Sequence, residues 1–205
     1  MYLRARITTS CRTAGSRYTR LNLLGWGILC PHARDLLWHG STPLYPPEYP
    51  TADESKELHD WLVKQVDEAL RHVASEPSVA LREYWHELGI IKDGEVLCAR
   101  SRADLIYLIN LNGTTSIVYV EVSSTRLNPA KPWQALLRGI ALYYEWGLPV
   151  GIVIVSPEKI MYKLLEDEDQ TSIMRMLKRE SEGFRPSPNL CSLCELRNYC
   201  PFKEA

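Results

Sequence analysis

Two acidic residues stand in stretches of sequence that otherwise read as buried β-strands. Glu121 interrupts the apolar run VYVEV, and Asp104 begins the run DLIYLI. A carboxylate in such surroundings is costly unless a charged group meets it. Two carboxylates on neighbouring strands also repel each other unless a divalent cation lies between them. Two explanations stay open at this point: a metal site, or pairing of the acids with arginines such as Arg102 or Arg126.

A hairpin between the two runs predicts that these acids face each other. Asn112 and Gly113 form the Asn-Gly dipeptide that is typical of a two-residue hairpin turn. Counting back along both strands from this turn places Asp104 opposite Glu121. The two carboxylates are therefore the first candidates for a functional site.

A second group of reactive side chains lies in the C-terminal sequence CSLCELRNYC. Cys191, Cys194 and Cys200 have the spacing C-x2-C-x5-C, in a segment with too few apolar residues to fold alone. A bound metal would supply the missing ordering energy. Cys30 is the best fourth ligand because, like Cys200, it precedes a proline, a common setting for an iron–sulfur ligand. Zinc held by four cysteines, or with His32 in place of one sulfur, stays open as an alternative.

The two remaining cysteines, Cys11 and Cys98, have no partner in the sequence pattern. A chain in which no secretory signal is recognised favours metal or catalytic cysteines over disulfides. We therefore expect Cys11 and Cys98 to be ordinary buried thiols.

The periodicity of the apolar residues predicts an α/β core with a mixed sheet. The predicted elements are a helix over 51–73, a shorter helix over 78–88, strands in EVLCAR, ADLIYLIN and SIVYVEVSS, a helix from about Pro132 to Gly147, strands in LPVGIVIVS and KIMYKLLED, and a helix over 170–181. We divide the chain into an N-terminal segment (1–50) that contributes one cluster cysteine, a core (51–182), and a cysteine-rich tail (183–205) that packs with the first segment.

Composition places the chain among soluble globular proteins. Of its 205 residues, 45% are hydrophobic and 24% are charged, and no apolar run is long enough to cross a membrane. A cytoplasmic protein is the expectation. The first forty residues contain six arginines and one acid, which suits either an anionic partner such as nucleic acid or a solvated surface.

The order of these motifs resembles a known nuclease core. A strand with Asp104, a hairpin, Glu121 and then a helix with Gln134 near its start resembles the PD-(D/E)xK core of the RecB family. With the cysteine pattern added, the chain resembles the CRISPR-associated single-domain nucleases of adaptation modules, which hold an iron–sulfur cluster. The resemblance extends from Cys30 to Pro201.

This resemblance implies an activity and its cofactors. The implied activity is a metal-dependent DNA exonuclease that trims single-stranded ends or overhangs before their integration into CRISPR arrays, alongside integrase proteins. Mg²⁺ or Mn²⁺ would be held by His59, Asp104, Glu121 and the backbone carbonyl of Val122, and Gln134 would orient the site. A 4Fe–4S cluster would lie in a small helical and loop subdomain formed by both chain ends. Its implied ligands are Cys30, Cys191, Cys194 and Cys200.

Two positions depart from the family pattern. Ser123 stands where the family has lysine, and a hydroxyl cannot replace an ammonium. Arg138 stands where the family has tyrosine. Lys131 could bring an ammonium into the site from the loop before the helix, whereas Arg126 could bind phosphate but would carry protons poorly. A DNA- or partner-binding homologue without cleavage, and a zinc-stapled domain with no nucleic-acid role, remain as alternatives.

Overall fold

The computed structural model describes residues 6–8, 11, 17–39, 53–73, 79–92, 95–111 and 113–202. The strands are β1 (Arg6–Thr8), β2 (Arg17–Arg20), β3 (Val79–Lys92), β4 (Glu95–Leu111), β5 (Thr114–Val122), β6 (Val150–Val155) and β7 (Ile160–Leu164). The helices are α1 (Leu21–Leu29), α2 (Pro31–Trp38), α3 (Asp53–Val73), α4 (Lys131–Trp146), α5 (Asp167–Leu177) and α6 (Pro188–Leu193), followed by a 3-10 helix (Arg197–Tyr199).

The strands form one mixed sheet of seven strands, in the order β1-β3-β4-β5-β6-β7, with β2 paired to β4. The pairs β2–β4 and β5–β6 are parallel, and the remaining pairs are antiparallel. Helix α3 covers one face of the sheet, while α1 and α4 pack in the main core on the other face. The prediction of an α/β core with a mixed sheet is confirmed.

The short helix predicted over 78–88 is wrong, because β3 occupies this region. Alternate residues of β3 (His86, Leu88 and Ile90) are buried, as a strand against a core requires. The strand pairs with β4 along nearly its whole length. The two strands predicted in EVLCAR and ADLIYLIN are one continuous strand, β4.

The hairpin register agrees with the prediction from the Asn-Gly dipeptide. Leu105 pairs with Val120, the register in which Asp104 comes opposite Glu121. Gly113 has φ +82°, in the left-handed region that glycine enters without steric cost. Asn112 lies outside the described residues. Asp104 thus lies within β4, and Glu121 is next to the last residue of the neighbouring β5.

The other predicted elements are present with small shifts at their ends. Helices α3 and α4 and strands β6 and β7 lie where the periodicity predicted them, and Gly147 ends α4 at φ +66°. Helix α5 begins earlier than predicted, because Glu166 before the helix and Asp169 in its first turn form a reciprocal capping box.

The N-terminal segment contributes two helices and two strands to the fold, in addition to Cys30 of the predicted cluster. Helix α1 is almost entirely buried in the main core, and β1 and β2 belong to the sheet. Cys11 and Cys98 form a disulfide with their Cα atoms 5.6 Å apart, so the expectation of two ordinary thiols is wrong. None of the described helices is both long and apolar enough to cross a membrane.

Candidate functional site

The backbone opens around Asp104. The β4–β5 pairing ends at Leu105 and Val120, and the β3–β4 pairing skips Glu83, whose φ of 54° is left-handed. The Asp104 carboxylate takes the place of a backbone acceptor between the strands, since its Oδ2 accepts the Val122 N–H at 2.7 Å. Asp104 is thereby held beside the end of β5.

Glu121 meets two cations in the core. Its side chain is 3% exposed. Lys131 Nζ contacts Oε1, while Arg138 Nη1 and the hydroxyl of Tyr119 contact Oε2. Both oxygens therefore have a charged partner, which offsets the cost of burying the carboxylate.

The arginines considered as partners from the sequence lie elsewhere. Arg102 pairs with Glu83 at 3.2 Å, and Arg126 pairs with Glu158 at 3.6 Å. Arg126 therefore makes its ion pair at the surface. Lys131, and not Arg126, contacts Glu121.

Arg138 is the residue whose role the sequence did not indicate. It is 5% exposed, and it donates from Nε to Ser101 Oγ at 2.6 Å and from Nη2 to Asn22 Oδ1 at 2.7 Å. Its Nη1 also donates to the hydroxyl of Tyr119 at 3.0 Å. The only signal in the sequence is that Arg138 replaces the tyrosine of the family pattern.

Lys131 is the first residue of α4, and the loop before it fixes its backbone. Asn128 Oδ1 accepts the N–H groups of Ala130 and Lys131 at 2.9 and 3.0 Å. Burial lowers the pKa of Lys131, while the charges of Asp104 and Glu195 act to raise it. The ammonium therefore contacts Glu121, and the charge of Asp104 also acts on it.

Ser123 takes no part in this cluster. Its hydroxyl donates to the carbonyl of Thr125 at 3.1 Å, within the loop that follows β5. The position where the family has lysine is thus occupied by a residue that stabilises the local turn.

His59 approaches the site from α3. Its Nε2 lies 3.6 Å from Asp104 Oδ1, and both side chains are partly exposed. The Asp104 carboxylate raises the pKa of His59, although burial acts against it. Burial would raise the pKa of Asp104, but His59 and the Val122 N–H outweigh it and hold this pKa below its usual value. Helix α3 is anchored near the site by Ser55 Oγ, 2.7 Å from Ser124 Oγ.

Gln134 is buried and joins two helices. Its Nε2 donates to the carbonyl of Asn22 in α1 at 2.9 Å. The amide group therefore holds the first turn of α4, which carries Lys131, against α1.

The donor set of this cluster suits a hard divalent cation. Asp104 and Glu121 offer carboxylate oxygens and His59 an imidazole nitrogen, a combination that Mn²⁺ accepts readily and Mg²⁺ less so. Within the described part of the chain, no three His, Cys, Asp or Glu side chains stand close enough together to form a ready metal group. Lys131 would have to leave Glu121 Oε1 for this oxygen to become a ligand.

The four cysteines with the predicted spacing come together from both ends of the chain. All four are free and line one cavity of about 20 Å³. Cys30 precedes α2, and the other three lie on α6 and around the 3-10 helix. Burial raises the pKa of Cys194 to about 12, and the neighbouring thiols Cys30, Cys200 and Cys191 add to this rise. The sulfurs of the described cysteines do not stand close enough together to form a ready metal group. Four free cysteines that line one cavity are nevertheless the donor set of an iron–sulfur cluster or zinc, which would take them as thiolates.

His32 lines a separate surface pocket together with Phe184 and Phe202. Its Nε2 is 2.9 Å from the carbonyl oxygen of Phe184, and its ring stacks on Phe202 with centroids 3.9 Å apart. The residues that line the cysteine cavity do not include His32. A cysteine-only ligand set is therefore the better match to the geometry.

The comparisons with known proteins give likenesses among solved structures alone. No family model matches the chain, and no curated protein matches it. The solved structure described as "Crystal structure of SSO0001" has 18% sequence identity and a TM-score of 0.48, over 96% of this chain and 91% of that one.

Proposed function

We propose that this chain is a metal-dependent DNA exonuclease with a PD-(D/E)xK core of the RecB type. The observation that carries the proposal is the position of Lys131, whose ammonium contacts Glu121. The charge of Asp104 also acts on this ammonium. Lys131, at the start of α4, supplies the positive charge that Ser123, in the loop after β5, cannot supply.

The proposed roles of the residues come from the family resemblance, and their contacts support part of them. His59, Asp104, Glu121 and the Val122 carbonyl would hold Mg²⁺ or Mn²⁺, which when bound lowers the pKa of water and stabilises charge on a phosphate. Lys131 would bind a non-bridging oxygen of the scissile phosphate. Gln134 and Asn128 position the first turn of α4, and so position Lys131.

The substrate, partners and second cofactor come from the family resemblance. DNA ends or overhangs would be trimmed for integration into CRISPR arrays, with integrase proteins as partners. The four cysteines would hold a 4Fe–4S cluster that joins the chain ends.

Cleavage of end-labelled single-stranded DNA with Mn²⁺ or Mg²⁺ tests the proposal. We expect Lys131→Met to cut about 10²–10³-fold more slowly than wild type, because one stabiliser of the transition state is lost. Arg126→Met is the matched control, since Arg126 is a nearby cation that pairs with Glu158 at the surface, and we expect it to cut at the wild-type rate. The proposal fails if wild-type protein cuts no DNA with either metal.

A second function is favoured by the two cations on Glu121. With Oε1 held by Lys131 and Oε2 by Arg138, the carboxylate is already neutralised by the protein. A DNA- or partner-binding homologue without cleavage would have this arrangement. Wild-type protein that retains labelled DNA on a filter but never shortens it, at any Mn²⁺ concentration, would establish this second function.

A further inference from the structure

We infer that Lys131 and a divalent cation compete for a single oxygen of Glu121, because Arg138 keeps the other oxygen inside the core. This inference rests on the proposed function, since it concerns the same site. It assigns a positioning role to Arg138 and makes Lys131 a protein-supplied competitor of the metal.

Arg138 is held too firmly to release Glu121. Its guanidinium uses Nε, Nη1 and Nη2 at once, with partners on α1, β4 and β5. Because a guanidinium stays charged at all ordinary pH values, deprotonation of Arg138 does not break this pairing. Moving it would leave a buried charge and several buried polar groups without partners. Glu121 Oε2 is therefore unavailable to any other cation.

Oε1 is in a different situation. Its partner Lys131 has a flexible stem at the first position of α4, and its side chain is 17% exposed. An ammonium on such a stem reaches water by rotating its own side chain, without repacking the core. Lys131 can therefore leave Glu121, whereas Arg138 cannot.

The other two donors, Asp104 and His59, make Oε1 the Glu121 oxygen that a divalent cation would bind. The charge of Asp104 acts on Lys131, and Asp104 Oδ1 faces His59 Nε2 at 3.6 Å. A divalent cation that joins these side chains to Glu121 must take the place of the ammonium at Oε1. By thermodynamic linkage, the ammonium weakens metal binding by the same factor as the metal weakens the Lys131–Glu121 pair.

As a consequence, binding of the metal releases Lys131 from Glu121. In the metal-free protein, Lys131 neutralises Glu121 and keeps the buried carboxylate stable. When the metal is bound, the ammonium becomes available to a phosphate group. The metal and Lys131 are thus both needed, but Lys131 does not bind phosphate until the metal is in place.

Titration of the protein with Mn²⁺ alone, without DNA, tests this inference by calorimetry and by the spin-resonance signal of free Mn²⁺. We expect Lys131→Met to bind Mn²⁺ about tenfold more tightly than wild type, because the competing charge is gone. Lys131→Arg keeps the charge and should bind Mn²⁺ about as wild type does. Arg138→Gln should also bind Mn²⁺ more tightly, because it frees Oε2, while Glu121→Gln should bind Mn²⁺ more weakly.

A loss of Lys131 that acted only on structure could not tighten metal binding. If Lys131→Met does not fold, Lys131→Gln keeps a hydrogen-bond donor toward Glu121 without the charge and gives the same test. Equal or weaker Mn²⁺ binding by the uncharged variant overturns the inference, as does failure of both wild type and variant to bind Mn²⁺. Tighter binding by the variant in a protein that never cuts DNA upholds the inference and rejects the proposed cleavage alone.

Discussion

Buried charges in this protein are balanced by partners a few ångströms away. Glu121 has Lys131 and Arg138, and the nearly buried Asp67 accepts hydrogen bonds from Arg71 and Arg82. His86 differs from these groups. Neither of its ring nitrogens has a hydrogen-bond partner among the described residues, although the side chain is 3% exposed.

His86 should therefore make stability depend on pH. Burial lowers its pKa to about 3, and the charge of Arg138 adds to this effect. In the unfolded chain the group titrates near pH 6.5. Since the unfolded state binds the proton first, the free energy of unfolding is unaffected above about pH 7 and falls as the pH drops from 6.5 toward 3, by up to about 1.4 kcal/mol per pH unit.

Urea unfolding at pH 7.5, 6 and 5 measures this effect. The carboxylates also titrate in this range, so the informative quantity is the difference between wild type and His86→Leu. We expect the leucine variant to lose less stability on acidification, whereas parallel curves for the two proteins would contradict the assignment.

At this scale the sequence predicted the acids better than their counter-ions. Asp104 and Glu121 could be placed opposite each other, because this needs only a turn and the alternation of a strand. The pairing of Arg138 with Glu121 depends on the rotation of α4 over the sheet, and no local pattern encodes that rotation. Lys131 was predictable as a candidate because it is the cation at the start of α4.

Among the elements, the contact between α1 and α4 has the most direct effect on the site. Gly25 in α1 lies where any side chain would meet α4, since a Cβ there would come 2.5 Å from Gln134 Cγ and 3.1 Å from the carbonyl oxygen of Ala130. Glycine at this position lets α1 approach the turn that carries Lys131.

Gly25→Ala should push α1 away from this turn. We expect a loss of about 1–3 kcal/mol in the free energy of unfolding, as is usual for overpacking. Gly151→Ala is the control, because a Cβ at Gly151 would meet only the carbonyl oxygen of Ile117, at 3.8 Å. Equal stability of the two variants in urea would show that the helices tolerate the added methyl group.

The elements also show where periodicity misleads. The segment of β3 offers Leu81, Trp85 and Leu88 at helical spacing, and also alternates as a strand. Pairing with β4 decides between the two, and this pairing joins residues that the sequence pattern did not connect. In contrast, α3 and α4 have long amphipathic patterns with clear ends, and both were predicted correctly.

Across the whole molecule, cysteines join distant parts of the chain at two places. The disulfide ties Cys11 to Cys98 on β4, and the cysteine cavity brings Cys30 to the C-terminal tail. The sequence predicted the group of C-terminal cysteines because they are close together in the chain. The sequence did not predict the disulfide, because its two cysteines are 87 residues apart and no motif surrounds them.

The cavity also connects to the candidate site and to the main core. The charge of Glu195, between Cys194 and Leu196 in the tail, acts on Lys131. Cys30 separates α1 from α2, and α1 is buried in the main core. A group bound by the four cysteines would therefore stabilise the whole protein and not the tail alone.

Cys191→Ser tests this connection, with Ser192→Ala as the control because Ser192 is an exposed neighbour that is absent from the cavity lining. In protein purified without oxygen, we expect wild type and control to be brown, with absorbance near about 400 nm as iron–sulfur centres show. The Cys191→Ser protein should lose this absorbance.

The same substitution should also lower the stability of the protein. A loss of about 2 kcal/mol in the free energy of unfolding would lower the Tm of a chain of this size by roughly 4–8 °C. Since α1 and the tail would loosen together, the unfolding transition should shift as a single step. Colourless wild-type protein containing one zinc ion per chain would identify a zinc site instead. An early separate loss of the tail, with the Tm of the core unchanged, would show that the cysteines stabilise only their own segment.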